Sequence, residues 1–193
     1  IGSAVAVRLA NEGLDTIVNY SQSADSASDT AEKCTAAGSD TLLVQCDVSN
    51  EAGVESMLDD IEKKYGRLDV VVNNAGTSIS TLARDFDQVS EEEFDRVLAV
   101  NIKGMFLVAK HSKSLLSEGI DPCIINTASI VGLRPGPQPL PYSASKAAVI
   151  SMTQSLSFAL GPKVRVNAVA PGWMEGEWME RMLGENYQKL MER

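Results

Sequence analysis

Short apolar runs rich in β-branched residues recur along the chain at 16–20, 41–46, 68–73, 123–127 and 164–169. They lack clean polar alternation, which predicts strands covered on both faces. The segments between them carry a helical period. After Cys46, apolar residues fall at Val54, Met57, Leu58, Ile61 and Tyr65, a single stripe closed by Gly66. Ser90-Glu-Glu-Glu93 has the spacing of a capping box and opens the next helix. From 143 to 160 the pattern is apolar nearly all round, with Ala147, Val149, Ile150, Leu156 and Phe158 among its members. One face of that helix can cover a sheet, and the other predicts a subunit contact. The alternation of strand and helix predicts a parallel sheet with helices on both faces, in one domain without repeat or linker.

Ligands of such sheets lie beyond the carboxyl ends of the strands. The polar and turn-forming groups of this chain gather there: Asn73-Asn-Ala-Gly76, Thr127-Ala-Ser129 and Ala170-Pro-Gly172. One position also breaks the helical stripe formed by Phe94, Val97, Leu98, Met105 and Val108. Residue 101 falls on that stripe, yet it is Asn. Either its amide is satisfied locally or it anchors a polar network reaching the active edge, since a buried amide without partners costs about 1–3 kcal/mol.

The 193 residues are 44% hydrophobic and 22% charged, ordinary for one globular core. The net charge of -9 gives no drive toward nucleic acid or an anionic membrane. No apolar run approaches the roughly 18 residues of a membrane span, and the N-terminus has no signal-peptide layout. Cys34, Cys46 and Cys123 are odd in number and lack metal-site spacing, so they read as reduced thiols of a cytoplasmic protein. His111 is the single histidine, which excludes a multi-histidine metal site; it reads as an ordinary helix-surface residue.

Candidate chemistry centres on Tyr142-Ser-Ala-Ser-Lys146, inside the helical pattern. Four residues apart, Tyr142 and Lys146 share one helix face. A phenol is a poor acid or base at neutral pH, and a neighbouring ammonium lowers its pKa. The pair suits proton exchange with an alcohol or ketone. Such pairs also arise by chance on surface helices, so the pair alone is weak.

Taken together, Asn73-Asn-Ala-Gly76, Asn101, Ser129 thirteen residues before Tyr142, Lys146 and Pro171-Gly172 resemble the short-chain dehydrogenase/reductase family over the whole chain. The resemblance extends to 3-oxoacyl-carrier-protein reductases and glucose dehydrogenases. It implies a Rossmann-type, doubly wound parallel sheet in three α/β/α layers, a nicotinamide cofactor and no metal. It implies a tetrad of Asn101, Ser129, Tyr142 and Lys146. Tyr142 is the general acid in reduction and the base in oxidation; Ser129 holds the substrate oxygen. Lys146 grips the nicotinamide ribose and lowers the tyrosine pKa, and Asn101 keeps a water that links Lys146 to solvent. For the cofactor it implies Gly2 at the pyrophosphate, Asp47 and Val48 at the adenine, Asn74, Ala75 and Gly76 at the adenosine ribose, and Pro171 and Gly172 at the nicotinamide. Relatives are commonly homotetramers.

The chain departs from the family in three places. Ile1-Gly2 look like the last two residues of a Thr-Gly-x-x-x-Gly-Ile-Gly loop, and Arg193 comes before the last helix and strand of the family, so a longer chain with two further strands, one of them central, is expected, and 1–193 alone is expected to be poorly stable. The position that selects NAD when acidic looks like Tyr20, followed by Ser21, Gln22 and Ser23; with no carboxylate to repel a 2′-phosphate, the expectation is NADP, with NAD as the second candidate. Gly176 stands where many relatives carry Thr.

The segment after Gly172 resembles the family's substrate lid, with Trp173 and Trp178 as substrate contacts for a small ketone or alcohol. Packing of this segment on the body or on a neighbouring subunit explains its apolar residues equally well. Glu175, Glu177 and Glu180 make it acidic, which disfavours a polyanionic acyl carrier. The four prolines between Arg134 and Pro141 read as a stiff loop shaping the pocket. The alternatives are an NAD-dependent sugar or alcohol dehydrogenase and, in another class, a catalytically idle cofactor-binding regulator.

Overall fold

The computed structural model describes residues 1–174; Trp178 and the rest of the expected lid lie outside the described residues. Five parallel strands form, β1 (Thr16–Tyr20), β2 (Thr41–Gln45), β3 (Val70–Asn73), β4 (Cys123–Thr127) and β5 (Arg165–Val169). Each lies within a run expected from β-branched content. Between them run α1 (Gly2–Asn11), α2 (Ala24–Ala36) and α3 (Glu51–Tyr65). A 3-10 segment (Ala83–Gln88) precedes α4 (Glu91–Leu98), and a π-helical turn (Ala99–Gly104) leads into α5 (Met105–His111). Then come α6 (Lys113–Ser117), α7 (Ile130–Leu133) and the long α8 (Leu140–Leu160). Among the described residues no helix is long and apolar enough to cross a membrane.

Local signals act as expected. The Asn50 side chain accepts from the Gly53 N–H and caps α3. Gly66 ends α3 at φ 70°, a left-handed conformation that costs glycine little. The capping box of α4 is complete, with Glu93 N–H donating to Ser90 Oγ and Ser90 N–H donating to Glu93.

The strands pair in register as two sheets rather than one: β1 with β2, and β3–β4–β5. The facing edges of β1 and β3 line a cleft of about 1210 Å³. One core nevertheless spans both sheets, because the stripe of α3 (Val54, Met57, Leu58, Ile61) packs with Val71, Ile124 and Val166, and against Ile17 and Val44. A smaller core joins Ala10, Val18, Ala27 and Cys34. All three cysteines are free and buried.

Two side chains depart from expectation. Phe94 lies partly open to solvent rather than in the core. His111 is no ordinary surface residue. Its Nε2 lies 2.9 Å from Glu51 and its Nδ1 3.6 Å from Glu55, so it ties the end of α5 to the first turns of α3. Hydrogen bonds from Lys110, then His111, hold the Glu51 carboxyl down to about 2.

Candidate active site

The carboxyl ends of the strands meet the N-terminal turns of α8 at the cleft. Gly2, Tyr20, Ser21, Asp47, Val48, Asn74, Ala75, Gly76, Ser129, Tyr142, Lys146, Pro171 and Gly172 all line it. Every expected cofactor residue is therefore on one surface. Asn101 stands behind that surface, 3% exposed. Trp173, about half exposed, is not part of the cleft wall.

Ser129 ends the β4 turn and begins α7. Its Oγ accepts from Val131 N–H at 3.4 Å and donates to the Pro171 carbonyl at 3.5 Å, while Ile130 N–H donates to the same carbonyl at 3.0 Å. This fixes Pro171 beside Ser129. The Tyr142 hydroxyl also hydrogen-bonds the Ser129 side chain. Burial pushes the Tyr142 pKa above that of an ordinary phenol, with the Ser129 bond offsetting part of the rise. The lowering expected from Lys146 is therefore not seen: desolvation of the phenolate is the dominant influence, opposed by the Ser129 bond.

Lys146 is 5% exposed, and burial lowers its pKa from 10.5 to about 8. Its Nζ donates to the Thr127 carbonyl at 2.7 Å and lies 5.7 Å from the Tyr142 ring centre. An ammonium has three donors, and the hydrogen bond found for it here takes one. A Cβ on Gly76 would lie 3.6 Å from the same Nζ, so a glycine keeps the approach from the cleft narrow but open. A Cβ on Gly132 would come within 2.6 Å of the Lys146 backbone, so α7 packs directly on α8.

Asn101 answers the question its position raised in both ways at once. Its Oδ1 accepts from Thr77 N–H (2.8 Å), and its Nδ2 donates to the Thr77 carbonyl (2.9 Å) and to Ser145 Oγ (2.9 Å). Ser145 Oγ in turn donates to the Tyr142 carbonyl at 2.7 Å. The amide is satisfied, and it ties the loop after β3 to the first turns of α8. Both donors of the amide are taken by protein groups, while Oδ1 accepts one bond and keeps a second acceptor direction. A second buried chain runs parallel to it: Asn73 Nδ2 donates to Asn126 Oδ1, and Asn126 Nδ2 donates to Thr153 Oγ1 on α8, each at 2.9 Å.

At the other end, Asp47 Oδ1 accepts from Ser49 N–H (3.0 Å) and Ser49 Oγ (2.7 Å), and Oδ2 accepts from Arg96 Nη1 (3.0 Å). The Asp47 pKa is lowered, the Ser49 and Arg96 bonds outweighing an opposing desolvation. Gly2 starts α1 against Asn74, where a Cβ would lie 2.6 Å from Nδ2.

The sequence reading missed Thr77, Ser145, Asn126, Gly132 and Arg96. Ser145 was legible in principle, since it lies three residues after Tyr142 on the same helix. The others depend on contacts between distant segments and left no local signal.

The family model described as enoyl-(acyl carrier protein) reductase matches residues 1–192. The 3-oxoacyl-(acyl-carrier-protein) reductase FabG of Staphylococcus aureus is 32% identical over 192 residues, 99% of this chain and 77% of that protein. A short-chain type dehydrogenase/reductase from Mycobacterium marinum is similar in structure, with a TM-score of 0.82 and 32% identity over 89% of this chain and 70% of that one. An NAD+-bound xylitol dehydrogenase gives 0.85 at 29% identity over 96% and 74%. The chain belongs to the short-chain dehydrogenase/reductase family, oxidoreductases that act on a CH–OH group or the matching ketone with NAD(P).

Proposed function

We propose that the protein is an NADP(H)-dependent oxidoreductase interconverting a small ketone and a secondary alcohol, with Tyr142 as the general acid and base. The observation that carries this reading is the cluster at the cleft: a Tyr142 hydroxyl bonded to Ser129, beside a buried Lys146 ammonium. A cofactor-binding regulator has a use for Lys146 at the ribose but none for the paired Tyr142 and Ser129 hydroxyls beside it.

The donor set fits a dinucleotide. Lys146 Nζ has donors for ribose hydroxyls, Gly76 leaves room beside it, and Asp47 presents a carboxylate for the adenine amine. A bound nicotinamide supplies or accepts the hydride. Ser129 Oγ orients the substrate oxygen toward the Tyr142 hydroxyl. Tyr142 gives its phenolic proton to that oxygen in reduction and takes it back in oxidation. Two preplaced hydroxyl donors stabilise the charge that develops on oxygen. Lys146 supplies positive charge next to the phenol as its proton leaves. Asn101 positions Thr77 and, through Ser145, the turn carrying Tyr142.

The absence of a carboxylate at Tyr20 and Ser21 supports NADP; the NAD+-bound xylitol dehydrogenase neighbour keeps NAD and a polyol substrate as the second reading. The open edges of β1 and β3 support a further parallel strand between them. Phe158, 88% exposed on α8, supports a homo-oligomer built on that helix.

Tyr142→Phe tests the mechanism in the full-length protein. The expected outcome is a loss of kcat on the order of 10²–10⁴-fold, with NADPH affinity nearly kept. Unchanged turnover refutes the role of Tyr142. Tighter binding of NADH than NADPH refutes the cofactor assignment.

A further inference from the structure

Asp47 is restrained more tightly than contact with a base requires. Ser49 N–H and Ser49 Oγ both bond its Oδ1, while Arg96 Nη1 reaches its Oδ2 from α4 at 3.0 Å. The same Nη1 donates to Ser49 Oγ at 3.0 Å, so the three side chains form a closed triangle. A carboxylate oxygen accepts about two hydrogen bonds. Oδ1 is thus filled, and Oδ2 keeps one acceptor direction. Arg96 and Asp47 both line the cleft. Further along the same helical run, Gly104 closes on the neighbouring residue, since a Cβ there would lie 2.6 Å from Val48 Cγ2.

The Arg96 and Asp47 side chains are 47% and 36% exposed. Ion pairs so exposed contribute little to stability. Holding the fold therefore does not explain the triangle, whereas orientation does: rotating the carboxylate breaks the Ser49 and Arg96 bonds together.

We infer that Arg96 is a positioning residue for base recognition. It fixes Asp47 so that the remaining acceptor direction of Oδ2 meets the exocyclic amine of adenine. This rests on the cleft being the dinucleotide site. It makes α4 a determinant of which purine the protein accepts, without Arg96 itself touching the base.

The test compares NADPH with its hypoxanthine analogue, in which a carbonyl oxygen replaces the amine. Fluorescence titrations of the full-length protein use wild type, Arg96→Gln, Arg96→Lys, Asp47→Asn and the Arg96→Gln/Asp47→Asn double variant. Thermal melts confirm that each variant is folded. Wild type is expected to prefer the adenine form by about tenfold. Arg96→Gln should lose most of that preference, Arg96→Lys should recover part of it, and the double variant should discriminate no worse than Asp47→Asn alone. Wild-type preference in Arg96→Gln overturns the proposal. Equal weakening of both nucleotides also overturns it, because Arg96 then contacts a shared group such as a phosphate. Failure of wild type to bind either nucleotide overturns the dinucleotide reading itself, a result distinct from the other two.

Discussion

Lys146→Met removes the buried ammonium and keeps an unbranched chain of similar length. In the folded protein Lys146 is 5% exposed and its pKa falls to about 8 from an ordinary 10.5. Below pH 8 both the folded and unfolded chains hold the proton, and the folded state carries the whole desolvation cost. Between pH 8 and 10.5 the folded state loses the proton first. The unfolded state then binds more protons, so this residue's contribution to stability rises with pH. The shift corresponds to on the order of 3 kcal/mol, most of it realised by pH 10. Urea unfolding of cofactor-free, full-length wild type and Lys146→Met, in steps from pH 7 to pH 10, gives the difference between the two proteins. Groups remote from Lys146 are common to both proteins and cancel, and Tyr142, its pKa raised by burial above that of an ordinary phenol, keeps its proton through most of this window. Losing the bond to the Thr127 carbonyl costs about 1–3 kcal/mol at every pH, so the slope carries the information. The wild-type advantage should climb by roughly 2–3 kcal/mol across the range. A flat difference refutes the claim that Lys146 is held charged at a desolvation cost.

Two other substitutions probe the frame. Asn101→Leu abandons three hydrogen bonds and leaves the Thr77 N–H and carbonyl without their partner, so it should cost about 2–4 kcal/mol in chemical denaturation; a cost below about 0.5 kcal/mol would mean that water replaces the amide easily. Gly132→Ala drives a methyl to within 2.6 Å of the Lys146 backbone and should destabilise by about 1–3 kcal/mol. Because Ser129 caps α7, the variant's steady-state kcat should fall by more than the folded fraction does, and a loss that tracks the folded fraction alone would show that α7 shifts without moving the site.

What the sequence made legible follows from the range of each signal. The runs at 16–20 and 123–127 became strands with those bounds, because β-branched residues flanked by breakers need no distant information. Gly66 and Ser90 ended and began their helices, since caps act within one turn. Ser129, Tyr142 and Lys146 came together because they occupy a strand end and a single helix face, whereas Asn101 joins them from the π-helical turn through Ser145. The division of the sheet left no mark in the runs themselves and was legible only through the resemblance, which expects a further, central strand. The partners of His111 come from α3, sixty residues earlier in the case of Glu51, so its helical context suggested a surface residue. The direction of the Tyr142 shift depends on burial, which the spacing to Lys146 does not report.

The π-helical turn at Ala99–Gly104 was equally invisible, since its residues fit an ordinary helix, yet it organises the site. A turn that closes on i→i+5 bonds inserts one residue and shifts the phase of everything after it. Arg96 before the turn reaches Asp47, Asn101 within it reaches Thr77 and Ser145, and Gly104 at its end abuts Val48. A single helical run, residues 91–111, thereby touches the loop expected at the adenine and the network behind Tyr142. Both ends of the cleft are positioned from one element, so a shift of that element moves them together. On the proposed dinucleotide reading, an extended ligand spans both ends at once to place its reactive carbon beside Ser129 and Tyr142. On that reading, setting their separation with a single helical run removes one degree of freedom from that placement, a use that fits a wide, ordinarily disfavoured turn.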